Sequence, residues 1–433
     1  ILIKFPFLVI SILVIPMVDL SVVDKDKKSN YVLRKIYSVG DLKIQENKYY
    51  EITGYVFPHP KTQEGTILVQ KAKPLQDIIE SFELTDEIKA SLDFFKCEPT
   101  VEGIAAKLDD ISKDITSNVT GIIERNDTLL ATLLVYHSVL RFKVPWDSKV
   151  IRGWLEAIVI GDTGTGKSAL IEKVSDFVGL GSRVNAESTS RTGLTYKMEQ
   201  SGSGGAWFIV WGAWPLADKE MVWIDECSGI PKEEYGQMTL ARSEGKLEVK
   251  RAVTAETTCR VRAILSGNVP KGKRLADYAQ GVESLKQIFN NEDIRRFDFG
   301  IFMKSTDVTP EKYNKELPKY PNKLTGELLK NNILYAWSRR SDNVKIKSDA
   351  AEAILKSSIS LSKVYGNATD VPLVSPSDQR NKLARLAVAL ASLLNSTDDS
   401  GDVVIVHRAH VEFIELYLKG VYNSPGCALN YYA

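Results

Sequence analysis

The sequence predicts an α/β fold built on a nucleotide-binding parallel sheet, and three observations carry that expectation. Residues 161–168 read Gly-Asp-Thr-Gly-Thr-Gly-Lys-Ser, the pattern of a phosphate-binding loop. The apolar run Leu155 to Ile160 precedes the loop, and Ala169, Leu170, Ile171, Val174, Phe177 and Val178 follow it at helical spacing. A second apolar run, Met221 to Ile224, ends in the acids Asp225 and Glu226.

The loop comes first because its chemistry is the most specific. Backbone N–H groups of Gly161, Asp162, Thr163, Gly164, Thr165 and Gly166 are expected to wrap the phosphates of a nucleoside triphosphate. The following helix turns its positive end toward them. Lys167 is expected to reach the β- and γ-phosphates, with the Ser168 hydroxyl on Mg²⁺. The pattern also arises by chance in unrelated chains, but here strand and helix flank it on the expected sides.

The acidic strand supplies what the loop lacks. Asp225 would complete the Mg²⁺ shell, and Glu226 would orient and polarise the attacking water. The bland alternative is a buried strand ending in a solvated acidic turn. A third apolar strand, Arg260 to Ser266, runs into Gly267-Asn268, and the Asn268 amide is placed to hold the same water. Together these favour hydrolysis over simple binding.

Composition bounds the rest. A chain of 433 residues has room for two or three domains, and a net charge of +1 excludes a globally basic nucleic-acid binder. The four cysteines, Cys97, Cys227, Cys259 and Cys427, lie far apart. That disfavours a disulfide framework and a cysteine-type zinc site, and it points to a reducing, cytoplasmic compartment. Phe5 to Val18 is apolar but short for a bilayer span. Buried strands are the favoured reading over a signal anchor, so no membrane partner is expected. The missing initiator Met reads as a truncated start.

Three parts follow along the chain. Residues 1–115 form an N-terminal part: β-type runs at Lys48 to Phe57 and Thr66 to Gln70 suit a small barrel, with helices from about 76 to 112. Residues 116–344 interleave strands and helices around the loop. Residues 345–433 are helical, with Leu383, Leu386, Ala387, Ala389, Leu390 and Leu393 on one apolar face.

The order of motifs then becomes recognisable. Gly193-Leu194-Thr195, Trp211 to Asp218, Ile224-Asp225-Glu226, Ser266-Gly267-Asn268 and Arg296-Phe297-Asp298 together resemble the ATPase core of the minichromosome maintenance (MCM) helicases, which are AAA+ motors. Gly153-Trp154-Leu155-Glu156 resembles the divergent MCM-like proteins of archaea and mobile elements. Phe57 to Thr62 and Glu80 to Leu84 look similar to the end of that family's OB-type domain. The implied fold is an AAA+ P-loop core with a helical lid, preceded by a partial OB-type β-barrel domain. The implied host is archaeal or a mobile element's, with the protein at the nucleoid.

The resemblance also implies roles. Lys167 and Ser168 match the nucleotide-loop pair, Asp225 and Glu226 the acidic pair, and Asn268 the sensor asparagine. Arg296 matches an arginine finger that reaches the ATP of the neighbouring subunit, although the adjacent Arg295 makes a plain surface ion pair the competing reading. Two β-hairpins would project into the channel of a homo-hexameric ring. One lies between Glu199 and Trp211 with Ser201 to Gly205 as its tip. The other runs from Lys246 to Arg251, turns near Val253 to Glu256, and returns over Thr257 to Ser266. Its tip residues Lys250 and Arg251 would grip single-stranded DNA through phosphates. A solvated edge hairpin is the alternative. Trp207, Phe208, Trp211 and Trp214 suit core packing better than base stacking.

Two departures stand out. The family's zinc module needs clustered cysteines, so no zinc is expected and double rings are in doubt. The lid arginine falls on Asp378 in strict register; Arg380 and Arg385 are the nearby substitutes, with Arg380 preferred as a nucleotide contact. The expected function is an ATP-dependent DNA helicase. The alternative is an AAA+ initiator or protein-remodelling ATPase without unwinding.

Overall fold

The computed structural model describes residues 9–14, 34–39, 50–58, 63, 65–74 and 78–432, apart from 148, 188–190, 201–206, 271, 310, 312–315 and 318. The chain divides into two units, Ile1–Ser81 and Phe82–Ala433.

The first unit holds four strands: β1 (Val9–Val14), β2 (Arg34–Val39), β3 (Tyr50–Pro58) and β4 (Gly65–Pro74). They form one sheet in the order β1-β2-β4-β3. The outer pairs are antiparallel and the β2–β4 pair is parallel. Part of the apolar start is therefore a strand. The β3–β4 register shifts between Thr53 and Gly54, where a Cβ on Gly54 would collide with the carbonyl oxygen of Leu68. Only glycine fits that close approach. Among the described residues no pairing joins β1 to β3, so the closure expected of a barrel is not seen in them.

The second unit opens with helices α1 (Asp86–Leu92), α2 (Val101–Ile115) and α3 (Asn126–Tyr136). Thr85 and Thr100 start the first two by accepting the backbone N–H of Ile88 and Gly103 at 3.3 and 3.0 Å. On α2, Ile104, Leu108, Ile111 and Ile115 recur at helical spacing and are all buried. At its end Asp114 accepts the backbone N–H groups of Lys323 and Leu324, both at 2.9 Å. The boundary between units thus falls at 81/82 and not at 115, because α2 buries its apolar stripe in the second unit.

A short hairpin, β5 (Arg141–Lys143) with β6 (Val150–Arg152), leads into β7 (Glu156–Gly161) and α4 (Lys167–Val178). Then come β8 (Ser182–Asn185), β9 (Tyr196–Gln200), β10 (Trp207–Trp211), β11 (Met221–Asp225), β12 (Lys246–Lys250), β13 (Thr254–Thr258), β14 (Arg262–Asn268) and β15 (Phe299–Met303). Five of these make the central sheet, ordered β15-β7-β14-β11-β8 and parallel throughout. β7, β11 and β15 are buried along their whole length, as continuous apolar runs in a covered parallel sheet should be. This is the α/β core of the AAA+ type.

The last part carries α5 (Gly326–Ser338), α6 (Ser348–Tyr365), α7 (Gln379–Leu393) and α8 (Arg408–Asn423). A small parallel pair, Val344–Ile346 with Val404–Val406, interrupts the helices. The apolar face expected on α7 is wider than one stripe: every residue from Lys382 to Leu393 is buried. α7 packs against α3, α5, α6 and α8, so little of its circumference meets water. No helix among the described residues is long and apolar enough to cross a membrane.

Candidate active site

The loop between β7 and α4 is shaped by two glycines in the left-handed region, Gly164 at φ +79° and Gly166 at φ +84°. Thr165 Oγ1 donates to the Asp162 carbonyl at 2.9 Å. The Asp162 carboxylate is committed to the fold, since it accepts the backbone N–H groups of Leu275 and Ser305, both at 2.8 Å. Its backbone N–H donates to the Met303 carbonyl at 3.0 Å. Asp162 was expected among the phosphate-wrapping residues; here both its side chain and its N–H brace the loop.

Lys167 is buried at the start of α4, and its Nζ donates to Asn268 Oδ1 at 2.5 Å. Burial pulls its pKa down, while the charges of Glu226 and Asp225 oppose that shift. Ser168 Oγ donates to Asp225 Oδ1 at 2.9 Å. The sheet explains the convergence: β7, β14 and β11 are neighbours in one parallel sheet, so their C-terminal ends meet at the loop. Glu226 follows β11 at φ +53°, a conformation that non-glycine residues rarely adopt. Asn268 ends β14, and its Nδ2 donates to Glu226 Oε1 and Oε2 at 3.0 and 3.2 Å.

The oxygen pair of Ser168 and Asp225 fits Mg²⁺, which takes one or two protein oxygens alongside phosphates and water. Among the described residues no group of three or more His, Cys, Asp or Glu is placed to hold a metal. A Mg²⁺ site of this kind does not need one.

Arg296 lies apart from these residues. It lines a cleft of about 490 Å³ with Arg152, Arg295, Lys382, Arg385 and Asp378. Its Nε is buried without a partner, and burial together with nearby Arg242 lowers its pKa. The position is held from below: Arg152 donates to the Arg296 carbonyl at 3.1 Å, and Arg242 pairs with Glu156 and Asp293 at 2.8 and 3.1 Å. Arg295 pairs with Asp378 at the start of α7. Arg385 Nε donates to Asp298 Oδ1 at 2.7 Å and also faces the cleft. Arg380, the preferred lid arginine, stacks 4.0 Å above the Trp146 ring and is not among the cleft residues.

Both expected hairpins exist, with shifted bounds. β9 pairs with β10, and the tip residues 201–205 lie outside the described residues. Trp214 is buried, while Trp207 is 47% exposed. In the other hairpin Lys250 pairs with Thr254, so the turn is Arg251 to Val253 and the return strand ends at Thr258. The predicted return strand over Thr257 to Ser266 is two elements, because Arg262 to Asn268 is the central strand β14. Leu247 and Val249 anchor one face of β12, which leaves Lys250 and Arg251 exposed at the turn. Lys250 Nζ meets Glu248 at 2.6 Å.

Three side chains at the site have no role assigned from sequence, where Ser266 enters only as part of the Ser266-Gly267-Asn268 motif. Ser266 Oγ donates to Asp225 Oδ1 at 2.9 Å and accepts Trp223 Nε1 at 2.7 Å. Arg183 on β8 donates to Asp225 Oδ2 at 2.6 Å while stacking on Trp223. Arg125 donates to the Thr165 carbonyl at 3.1 Å. A serine inside an otherwise apolar strand was the one available signal, and it pointed to Ser266.

The family model for the MCM P-loop domain matches residues 100–320. The Minichromosome maintenance protein MCM of Saccharolobus solfataricus is 23% identical over 257 residues, which cover 56% of this chain and 36% of that protein. The Probable DNA helicase MCM8 of Oryza sativa subsp. indica is 24% identical over 340 residues, covering 68% and 42%. The DNA replication licensing factor MCM5 of Arabidopsis thaliana is 23% identical over 324 residues, again covering 68% and 42%. The chain spans about two fifths of the length of these curated relatives.

Proposed function

The chain belongs to the MCM family, and from that premise we propose that it is an ATP-dependent DNA helicase, a homo-hexameric ring that moves along single-stranded DNA during replication. One observation carries the reading. Lys167, Ser168, Asp225, Glu226 and Asn268 converge at the ends of adjacent parallel strands, linked by hydrogen bonds of 2.5 to 3.2 Å. That constellation is suited to phosphoryl transfer from a nucleoside triphosphate to water.

Lys167 holds the β- and γ-phosphates, and the N–H groups of the loop and of the α4 N-terminus hold the rest. Ser168 and Asp225 would hold Mg²⁺, which would supply positive charge to offset that of the phosphates. Glu226 orients the attacking water and draws on its proton. Asn268 keeps the Glu226 carboxylate in place. Arg296, set in a separate cationic cleft, serves the nucleotide of the adjoining subunit, so each site is completed across a subunit boundary.

Family membership and the exposed cationic turn of the β12–β13 hairpin support DNA as the track. Lys250 and Arg251 grip phosphates there without reading bases, which suits a motor that must pass every sequence. The test is strand displacement from a forked duplex carrying a 3′ or a 5′ tail. ATP-dependent displacement from one of them is the expected result. ATP hydrolysis with no displacement on either would replace the helicase by an AAA+ initiator or protein-remodelling ATPase.

A further inference from the structure

Arg125 is 95% buried by side chain yet sparsely paired. Its Nε donates to the Thr165 carbonyl at 3.1 Å, its Nη1 faces Asp307 Oδ2 at 3.6 Å, and its Nη2 is buried with no partner. A guanidinium out of water normally has its donors satisfied, because desolvating the charge costs several kcal/mol. The chain is shaped to bring it there. Gly121 and Glu124 adopt φ +65° and +58°, and Glu124 is one of the few non-glycine residues in that region. Ile122 Cγ2 lies 3.4 Å from where a Cβ of Gly166 would be, and Lys173 Nζ donates to the Thr120 carbonyl at 2.6 Å. The 120–125 segment is thus tied to the phosphate loop and its helix by two hydrogen bonds, with Ile122 leaving little room for a side chain at Gly166.

Two acids face this cation, Asp307 and Asp127, and each is also held by backbone. Asp307 accepts the backbone N–H of Lys304 at 2.7 Å and closes the turn after β15, and Asp127 accepts that of Thr128, also at 2.7 Å. The guanidinium thus sits on the carbonyl side of the loop with Nη2 left without a partner. We propose that Arg125 is a positioning residue of the nucleotide site: it holds the Thr165 carbonyl so that the loop stays open to a polyphosphate, and its charge favours that ligand from the far side of the backbone. The inference rests on the nucleotide-binding reading above and adds a residue that no phosphate-loop pattern contains. Arg125 acts on binding and not on the water, so it belongs to the ground state.

The test uses the full chain, a fluorescent ATP analogue and steady-state hydrolysis. Arg125→Gln should raise the Kd for the analogue about tenfold, the size expected for removing a charge-assisted hydrogen bond. KM for ATP should rise in step while kcat stays within about twofold of the parent. Arg125→Lys keeps the charge and should recover part of the affinity. Asp307→Asn keeps an acceptor for Lys304 but removes one of the two acids that face Arg125, so its Kd should be equal or lower. That variant and the lysine variant decide the matter if Arg125→Gln does not fold. An unchanged Kd in folded Arg125→Gln would overturn the proposal, as would a fall in kcat at constant KM. So would Arg125→Lys binding as weakly as Arg125→Gln, or Asp307→Asn losing affinity as Arg125→Gln does. Failure of the parent chain to bind the analogue would instead overturn the nucleotide reading itself.

Discussion

Asn268 donates its amide Nδ2 to both carboxylate oxygens of Glu226, at 3.0 and 3.2 Å, while its Oδ1 accepts Lys167 Nζ at 2.5 Å. One amide therefore links the phosphate-binding lysine to the acid proposed to handle water. Glu226 stands in the left-handed backbone region just past β11, so its own backbone conformation is an unfavourable one. The asparagine side chain supplies the restraint.

Removing that restraint should slow the chemistry while sparing binding. Asn268→Ala should lower kcat by on the order of a hundredfold, the scale lost when one preorganised donor goes. ATP affinity should change little. Steady-state kinetics with a direct binding measurement separates the two, and a parallel loss of affinity would mean that Asn268 mainly orients Lys167.

Arg296 opens into a different cleft from Lys167, which gives a mixing test for shared sites. Arg296→Ala and Lys167→Ala should each lose on the order of a thousandfold in turnover when alone. Mixed subunits should regain part of it, because some boundaries pair an intact loop with an intact arginine. If no ratio of folded, assembled proteins regains activity, Arg296 does not act on a neighbour.

The hairpin turn can be removed without touching the nucleotide site. Lys250→Ala with Arg251→Ala should weaken single-stranded DNA binding and leave DNA-free hydrolysis intact. The salt dependence of binding should flatten, its slope falling by about 0.7 for each phosphate that is no longer neutralised. Lys250 already pairs with Glu248, so Arg251 is expected to carry the larger share. Affinity measured across a salt series checks this; a parallel line of unchanged slope would remove the turn from the track.

Acid should destabilise the fold through His137. This ring is fully buried, with Nδ1 2.7 Å from the Leu133 carbonyl and Nε2 3.2 Å from Asn332 Nδ2. That pairing suits the neutral imidazole. Burial, with Arg262 nearby, holds its pKa down at about 4 against 6.5 for the free group. The unfolded chain therefore takes the proton first as pH falls. The stabilisation is full above about 6.5 and is lost on the way down to about 4, on the order of 3 kcal/mol in all. Thermal unfolding across that range should show a slope that His137→Gln makes shallower. Equal slopes in both proteins would show that His137 does not contribute.

The sequence disclosed the elements whose signals are local. The loop, its flanking strand and helix, and the acidic end of β11 read directly, because each couples a composition run to a fixed motif. Long-range pairing did not. The polar alternation of Thr254 to Thr258 runs into Arg262 to Asn268 without a break in sequence, so the hairpin's return strand reads on into the apolar strand that begins near Arg260. α2 reads as part of the N-terminal β region in sequence, because nothing local shows that Asp114 clasps residues 323 and 324. Arg125, Arg183 and Arg385 are ordinary basic residues in sequence. They become informative only when folding sets them against Thr165, Asp225 and Asp298.

Glu226→Gln reaches the central claim most directly, since it keeps the shape of the side chain and removes its charge. Binding of ATP and single-turnover phosphate release should be measured on the same folded protein. The account predicts near-parental ATP binding, with phosphate release slowed by about a hundredfold or more. Parental release from Glu226→Gln would contradict the assignment of this site as the place where ATP is hydrolysed.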